Sequence, residues 1–495
     1  MESCLDQRRA GVLLHITSLP GQGETGDLGS SARHFVNFLQ DSGLTLWQTL
    51  PIGATQSDGS PYQSVSVHAG NPRLIALEPL VEKGWLSGQL LEQESLSDQD
   101  KRNALAAAWH GFNQDADPSD RSALHLFRAE RQAWLEDYLL FQALHDELQR
   151  GWWEWPSALR HREPEALIKA STRLAKKIDY LCFEQFLFFQ QWMALKQYAN
   201  ERGVLLFGDM PIFVAHDSAE VWSQQAMFLL DDEGHPTVVA GVPPDCFSEL
   251  GQRWGNPLYR WDLMQQDDFA FWVARMKTQL QLFDLIRIDH FRGFEAYWEI
   301  PAEEENAVRG HWVKAPGDAL FERLHEVYDP LPLVAEDLGI ITAEVNALRK
   351  KYRLPGMKIL QFAFSGEADN PYLPFNHTEN SVVYTGTHDN DTTLGWYLSL
   401  DCETRQYVDE YLGRSQEIMP WPLIRSALAS SARLAVLPMQ DLLALDGTHR
   451  MNLPGTVEGN WCWRFSWDQV EPDLAARLHR RVKMYGRLAN STTMD

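Results

Sequence analysis

Eight short apolar runs, each ending in turn or polar residues, recur along the chain with helical patterns between them. They are GVLLHI from Gly11, LTLWQTL from Leu44, VLLFGD from Val204, FDLIRID from Phe283, LPLVAED from Leu331, MKILQFAF from Met357, SVVYTGT from Ser381 and LAVLPMQD from Leu434. A continuous apolar run suits a strand buried on both faces, and strands that alternate with helices pair in parallel. Eight such units predict a closed α/β fold, the (β/α)8 TIM barrel, over an open sheet. Apolar residues at three- and four-residue spacing predict connecting helices at 31–40, 317–327 and 342–351. At 495 residues and 44% hydrophobic composition, the chain can fill such a barrel and carry large insertions besides.

Those insertions are expected after strands two, three and four, where the intervals exceed a plain connection. The predicted organisation gives 1–73 to strands one and two, 74–178 to a helical insertion and 179–210 to the strand-three region. Residues 211–265 form a cleft-covering insertion, 266–292 the strand-four region and 293–316 a small insertion. Residues 317–495 hold strands five to eight and C-terminal helices. The helical insertion shows Trp134, Leu135, Tyr138, Leu139, Phe141, Leu144 and Leu148 mostly on one stripe. The segment after strand three carries the turn signals DDEGHP and GVPPD and reads as loop. Loops that follow barrel strands gather at the C-terminal mouth, where chemistry occurs in this architecture.

Charge narrows the partners. With 44 basic and 68 acidic residues the net charge is −24, and such a surface repels phosphate backbones, which argues against nucleic acid as a partner. A neutral substrate needs no electrostatic steering. The 19 tryptophans fill core, and their faces also suit the apolar faces of pyranose rings. Cys4, Cys182, Cys246, Cys402 and Cys462 are odd in number and lack a CxxC pair, which predicts free thiols in a reducing compartment. No His, Cys or carboxylate cluster has ligand spacing, so neither a metal nor a cofactor is expected. The opening segment reads as no secretory leader, and no window nears the ~20 apolar residues of a membrane span. Cytoplasmic residence is the expectation, with no membrane and no obligate protein partner.

Three carboxylates stand at the ends of predicted strands. Asp289 ends FDLIRID, Glu336 lies in LPLVAED, and Asp389 follows SVVYTGTH. Strand alternation puts Phe283, Leu285, Arg287 and Asp289 on one face, so the last two point together into the mouth. Strands four and five are neighbours, about 4.8 Å apart. Their terminal carboxyl groups can then lie about 5–5.5 Å apart, the spacing of a retaining glycosidase. Breaking a glycosidic bond needs one neutral and one ionised carboxyl. Arg287 would keep Asp289 ionised, and repulsion from Asp337 would help to raise Glu336. His290 and His388, each beside a carboxylate, could donate to sugar hydroxyls. A lone Asp at a strand end is ordinarily a turn or cap. Asp337 is read that way, and Asp389-Asn390-Asp391 also fits an Asx-turn. His15 reads as a satisfied core histidine. The joint position of Asp289, Glu336 and Asp389, beside Arg287 and two histidines, favours a site.

At these residues the chain resembles the amylomaltase family (4-α-glucanotransferases, or disproportionating enzymes) of the α-amylase clan. The segments that carry the resemblance are LLHITSLPG, SPYQSVSVHAGNP, GDMPIFVAHDSAEVW, GVPPDCFSELGQRWGNPLY, RIDHFRGF, VAEDLG, GTHDNDTTLGW and RMNLPGTVEGNWCWR, spread over essentially the whole chain. The resemblance implies that Asp289 is the nucleophile and Glu336 the general acid/base. It implies that Asp389 binds hydroxyls of the distorted sugar. Arg287, His290 and His388 would support these groups, and Asp209 would lie near the donor sugar. Tyr62 would stack on a sugar, while Asp245, Gln252 and Trp254 would lie in the loop over the cleft. Pro211-Ile212-Phe213 stand where α-amylases carry a histidine, which fits amylomaltases better. His216 is read as a solvated loop residue and Cys246 as a small buried one. Phe247 and Tyr259 read equally as apolar cover for the cleft or as packing of the loop onto the barrel.

The resemblance implies transfer of a 1,4-α-glucan segment between maltooligosaccharides or longer α-glucans by a retaining double displacement. The alternatives are an α-amylase-type hydrolase on the same fold and a non-catalytic glucan-binding protein. The presence of all three carboxylates weighs against the last.

Overall fold

A computed structural model describes residues 5–56, 58–244, 248–413, 416–456 and 458–488. In chain order the strands are β1 (Arg9–Leu13), β2 (Leu46–Gln48), β3 (Leu205–Met210), β4 (Val238–Val242), β5 (Gln252–Pro257), β6 (Leu285–Ile288), β7 (Ala296–Pro301), β8 (His311–Lys314), β9 (Leu333–Ala335), β10 (Gly356–Ile359), β11 (Ser381–Tyr384) and β12 (Leu434–Pro438). Eight of them close a barrel in the order β1-β2-β3-β6-β9-β10-β11-β12, with every pair parallel. Each of the eight apolar runs supplies one of these strands.

Alternation along these strands divides the core in two. Side chains such as Phe207, Leu285, Val334, Met357, Val382 and Val436 point inward and fill the barrel. Their neighbours point outward under the helices, in one continuous apolar layer. Phe283 departs from the predicted face. It belongs to the outer layer, because it caps the helix Ala270–Leu282 before the strand begins, and it packs against Gly208.

Between β2 and β3 the chain is largely helical. The helix Gln132–Leu148 buries Leu135, Tyr138, Leu139, Phe141 and Leu144 on its predicted stripe. It packs on the long helix Ala175–Asn200, which leads back into β3. The segment that reads as loop after β3 contains β4 and β5. These join β7 and β8 in an antiparallel sheet, ordered β5-β4-β7-β8. Cys182, Cys402 and Cys462 are free thiols; Cys4 and Cys246 lie outside the described residues. Among the described residues, no helix is long and apolar enough to cross a membrane.

Candidate active site

The register of β6 and β9 builds the centre of the site. Ile288 pairs with Ala335, so Asp289 and Glu336 each follow directly from a paired residue on adjacent strands. The amide of Glu336 donates to the carbonyl of Ile288 at 3.0 Å, and the amide of Phe291 donates to the carbonyl of Glu336 at 3.0 Å. The two carboxyl groups are thereby fixed side by side at the mouth. They open into a cleft of about 980 Å³ that Tyr62, Gln252, Trp254, Arg287, His290 and Asp389 also line.

Arg287 is the hub. Its guanidinium contacts both oxygens of Asp209, at 2.8 and 2.7 Å, and Oδ1 of Asp289 at 2.7 Å. The Asp289 contact is the one that the sequence predicts. The Asp209 contact follows from register, since Asp209 and Arg287 are cross-strand partners on β3 and β6. Asp209 was expected among the sugar-binding groups, yet its side chain is 0% exposed. It is spent on Arg287 and on the Tyr62 hydroxyl, which donates to it at 2.8 Å. Burial pushes the Asp209 carboxyl up, Arg287 opposes that, and Asp289 adds to it.

Glu336 is held differently. One oxygen accepts from the amide of His290 at 2.7 Å and the other from the amide of Leu338 at 2.9 Å. His290 reaches this position with a left-handed backbone, φ 49°. Burial still raises Glu336 to about 7, against the lowering by Arg287 and with a further rise from Asp289. Repulsion from Asp337, expected from sequence, is not the cause. Asp337 turns to the outer layer, as alternation requires. It accepts from the amide of Met357 at 2.7 Å and meets Arg349 at 3.2 Å. A Cβ on Gly356 would lie 2.3 Å from its Oδ2, so that glycine makes room for the carboxylate. Asp337 is a buried tie between strand and helix, not a helix cap.

Asp389 stands in the turn after β11. Asn452 donates to its Oδ1 at 2.6 Å, and His388 Nε2 lies 3.3 Å from its Oδ2. Arg450 donates to its backbone carbonyl at 3.0 Å. The crowding of surrounding protein favours the neutral acid, but His388, Asn452 and Arg287 together hold this carboxyl well below the usual range. His388 was expected to meet sugar hydroxyls. Its side chain is instead 5% exposed, with Nε2 2.8 Å from the Tyr62 hydroxyl and its ring stacked on Tyr62. Asp209, Tyr62, His388 and Asp389 thus form one connected chain, with Asp209 and His388 buried and Tyr62 and Asp389 reaching the cleft.

His290 does face the cleft. Burial lowers its ring to about 4, so it is neutral near pH 7. Its Nε2 is buried and has no hydrogen-bond partner among the described residues. Trp254 stands edge-on to it at 4.9 Å, and the Trp254 indole donates to Gln252 at 3.1 Å. Asp245, Cys246 and Phe247 lie outside the described residues. Tyr259 is core packing, with its hydroxyl on the Ile212 carbonyl at 2.7 Å. His15 is buried and bonded to Thr49 at 3.0 Å, as a core histidine should be. His216 is not a solvated residue. It stacks on Trp153 at 4.2 Å and bonds the Gly234 carbonyl at 2.7 Å.

Asn452, Arg450 and Trp461 are the site residues that sequence reasoning missed. Trp461 packs against Tyr62 and His388, on a left-handed backbone with φ 63°. All three sit in the family segment RMNLPGTVEGNWCWR, which was the available signal. The contact of Asn452 carries a prediction. A hydrogen bond to a charged group contributes about 1.5–3 kcal/mol, so Asn452→Ala is expected to lower kcat/KM by roughly 10- to 100-fold. Its loss raises the Asp389 pKa, and because the ionised form is the useful one, the acid limb of the pH profile moves to higher pH. An unmoved acid limb would show that Asn452 only packs.

A barrel with two carboxyl groups side by side at its mouth, one paired with an arginine and one that burial pushes toward the neutral form, a third carboxylate close by and aromatic cover defines a glycosidic-bond-processing site. Comparison with known proteins specifies it. The family model described as 4-alpha-glucanotransferase matches residues 14–469. A 4-alpha-glucanotransferase of Thermus thermophilus is 50% identical, over 97% of this chain and 99% of the relative. One from Synechocystis is 46% identical, over 98% and 99%. The solved amylomaltase from Streptococcus agalactiae, in complex with acarbose, superposes with a TM-score of 0.94 at 36% identity and covers 98% of this chain and 100% of its own. The chain belongs to the 4-alpha-glucanotransferase family.

Proposed function

We propose that Asp289, Glu336 and Asp389 carry out 4-α-glucan transfer in this cleft by a retaining double displacement. The observation that carries the reading is the contrast between Asp289, paired with Arg287 at 2.7 Å, and Glu336, which burial raises to about 7. Glu336 protonates the leaving glycosidic oxygen while Asp289 attacks the anomeric carbon and forms a β-glycosyl ester. Glu336, now ionised, takes the proton from the 4-hydroxyl of an acceptor glucan, which displaces Asp289 and restores the α-linkage. Asp389, kept ionised by Asn452 and His388, holds hydroxyls of the distorted sugar and favours the positively charged transition state. Arg287, Asp209, Tyr62 and His388 fix these groups, and His290, Gln252 and Trp254 face the substrate.

Water at roughly 55 M competes for the ester, so transfer needs a cleft that orients a sugar and misplaces water. Phe213, Trp254 and Trp461 line the cleft and supply apolar cover. The substrates are 1,4-α-glucans, and residence in the cytoplasm suits the free thiols and the neutral polymer. The organisation into a barrel with a helical insertion at 74–178, a cleft-covering insertion at 211–265 and a small one at 293–316 follows the same reading.

The test is incubation of the pure protein with maltotriose. Glucose together with a ladder of longer maltodextrins is the expected product set; shorter sugars alone would identify a hydrolase, and binding without products a non-catalytic protein. Because protonated Glu336 is the form that starts the reaction, kcat/KM is expected to fall as the pH rises through about 7. A profile flat from pH 6 to 9 would remove Glu336 from the acid role.

A further inference from the structure

Trp312 is out of place for ordinary packing. It lies on β8, the outer edge strand of the antiparallel sheet, between His311 and Val313. Exposed edge strands usually carry charge, and this one places a large aromatic ring, 37% exposed, on the wall of the catalytic cleft. The ring is held rigidly. Trp298 meets it in a T-shaped contact at 5.2 Å, and the guanidinium of Arg292 lies 3.9 Å from its centroid. Arg292 is itself buried and donates to the carbonyl of Ile340 at 3.0 Å. Trp312 is therefore tied to the loop that follows Glu336. Leu338 and Ile340 of that loop line the same cleft, and Ile340 is exposed.

The functional reading above places this ring relative to the bond that is broken. Glu336 protonates the leaving oxygen, so the sugars beyond that oxygen lie on the acid's flank, where Arg292 anchors Trp312. Tyr62 and Trp461 pack against His388, on the side of the cleft held by Asp389. Trp312 is also distant. Trp254, beside His290, is on β5, three strand spacings or roughly 14 Å from β8, and on the opposite face of the sheet, since the cross-strand row of Trp312 runs through Trp298 and Gly241 to Arg253. A single glucose at the reaction centre does not span that width, whereas an oligosaccharide does.

We propose that Trp312 is a distal sugar-stacking platform on the acceptor side of the cleft, and that it selects 1,4-α-glucan acceptors of several units over glucose. The proposal rests on the functional reading above, with Glu336 as the acid. The pyranose face of a remote unit covers the free part of the indole, and Arg292 and Trp298 keep the ring from turning away. Its contribution is to acceptor affinity, not to the chemical step.

An activated donor isolates this effect. α-Maltosyl fluoride loads the enzyme without occupying the acceptor flank, and transfer is then followed separately to glucose and to maltotetraose. Trp312→Ala is expected to raise the apparent KM for maltotetraose roughly tenfold, the loss of one aromatic anchor, with that for glucose and both kcat values unchanged. Trp312→Tyr should restore most of the affinity. Trp312→Leu, which keeps apolar cover on Trp298 without a stacking face, should behave like the alanine variant. Equal changes for the two acceptors, or none, would overturn the platform and leave Trp312 as sheet packing. Wild-type protein that transfers to neither acceptor would instead overturn the functional reading beneath it.

Discussion

Replacing Glu336 by glutamine is expected to stop turnover of natural glucans by at least about 10³-fold, while an activated α-glucosyl fluoride still loads the enzyme. Fluoride departs without a proton, so the first step survives. The second step lacks a base, and the glycosyl ester accumulates. Intact-mass spectrometry should then show the chain plus one hexosyl unit, and peptide mapping should place it on Asp289. The same loss of at least about 10³-fold is expected for Asp289→Asn, without an adduct, because the amide is no nucleophile. These variants should fold normally, since mouth residues of a barrel serve chemistry more than stability. An adduct on another residue, or an Asp289→Asn variant of near wild-type rate, would sink the assignment.

Arg287 is expected to be different, because its loss should damage both fold and activity. It is 5% exposed and compensates Asp209, whose side chain is fully buried, and Asp289. Arg287→Met leaves Asp209 without its cation, and breaking a buried pair on one side costs about 3–5 kcal/mol. The urea midpoint should fall accordingly, and activity should be lost. Arg287→Lys should not restore function, because one ammonium cannot span two carboxylates as a planar guanidinium does. Adding Asp209→Asn to Arg287→Met removes the stranded charge and should recover part of the stability but none of the activity. A single variant as stable as wild type would contradict the burial of the pair.

The expectations that held and those that failed have separate physical causes. The barrel strands were legible because a strand covered on both faces must be apolar throughout, and SVVY and LAVLP meet that condition locally. The sheet β5-β4-β7-β8 was not legible. QRWGNP mixes charge, glycine and proline, and its strand character comes from pairing with β4, which pairs in turn with β7 from beyond β6. Within the site, Asp289 and Glu336 were readable because strand ends aim at the mouth. The place of Asp209 under Arg287 depends on cross-strand register, and that of His388 beside Tyr62 on contact between loops far apart in sequence. Asn452 reaches Asp389 from 63 residues away in sequence, through a loop with no periodic pattern.

Closure of the ring between β1 and β12 has a consequence for how the chain is made. Arg8 hydrogen-bonds the carbonyl of Ser431 across a separation of 423 residues. At a synthesis rate of ~5–20 residues per second, the first strand waits roughly 20 to 85 seconds on the ribosome before its last partner exists. During that interval an incomplete barrel presents unpaired strand edges, the surfaces most prone to stray pairing. The Asn452 that orders Asp389 emerges later still. Asp389 therefore gains its Asn452 partner only after the last barrel strand has been made.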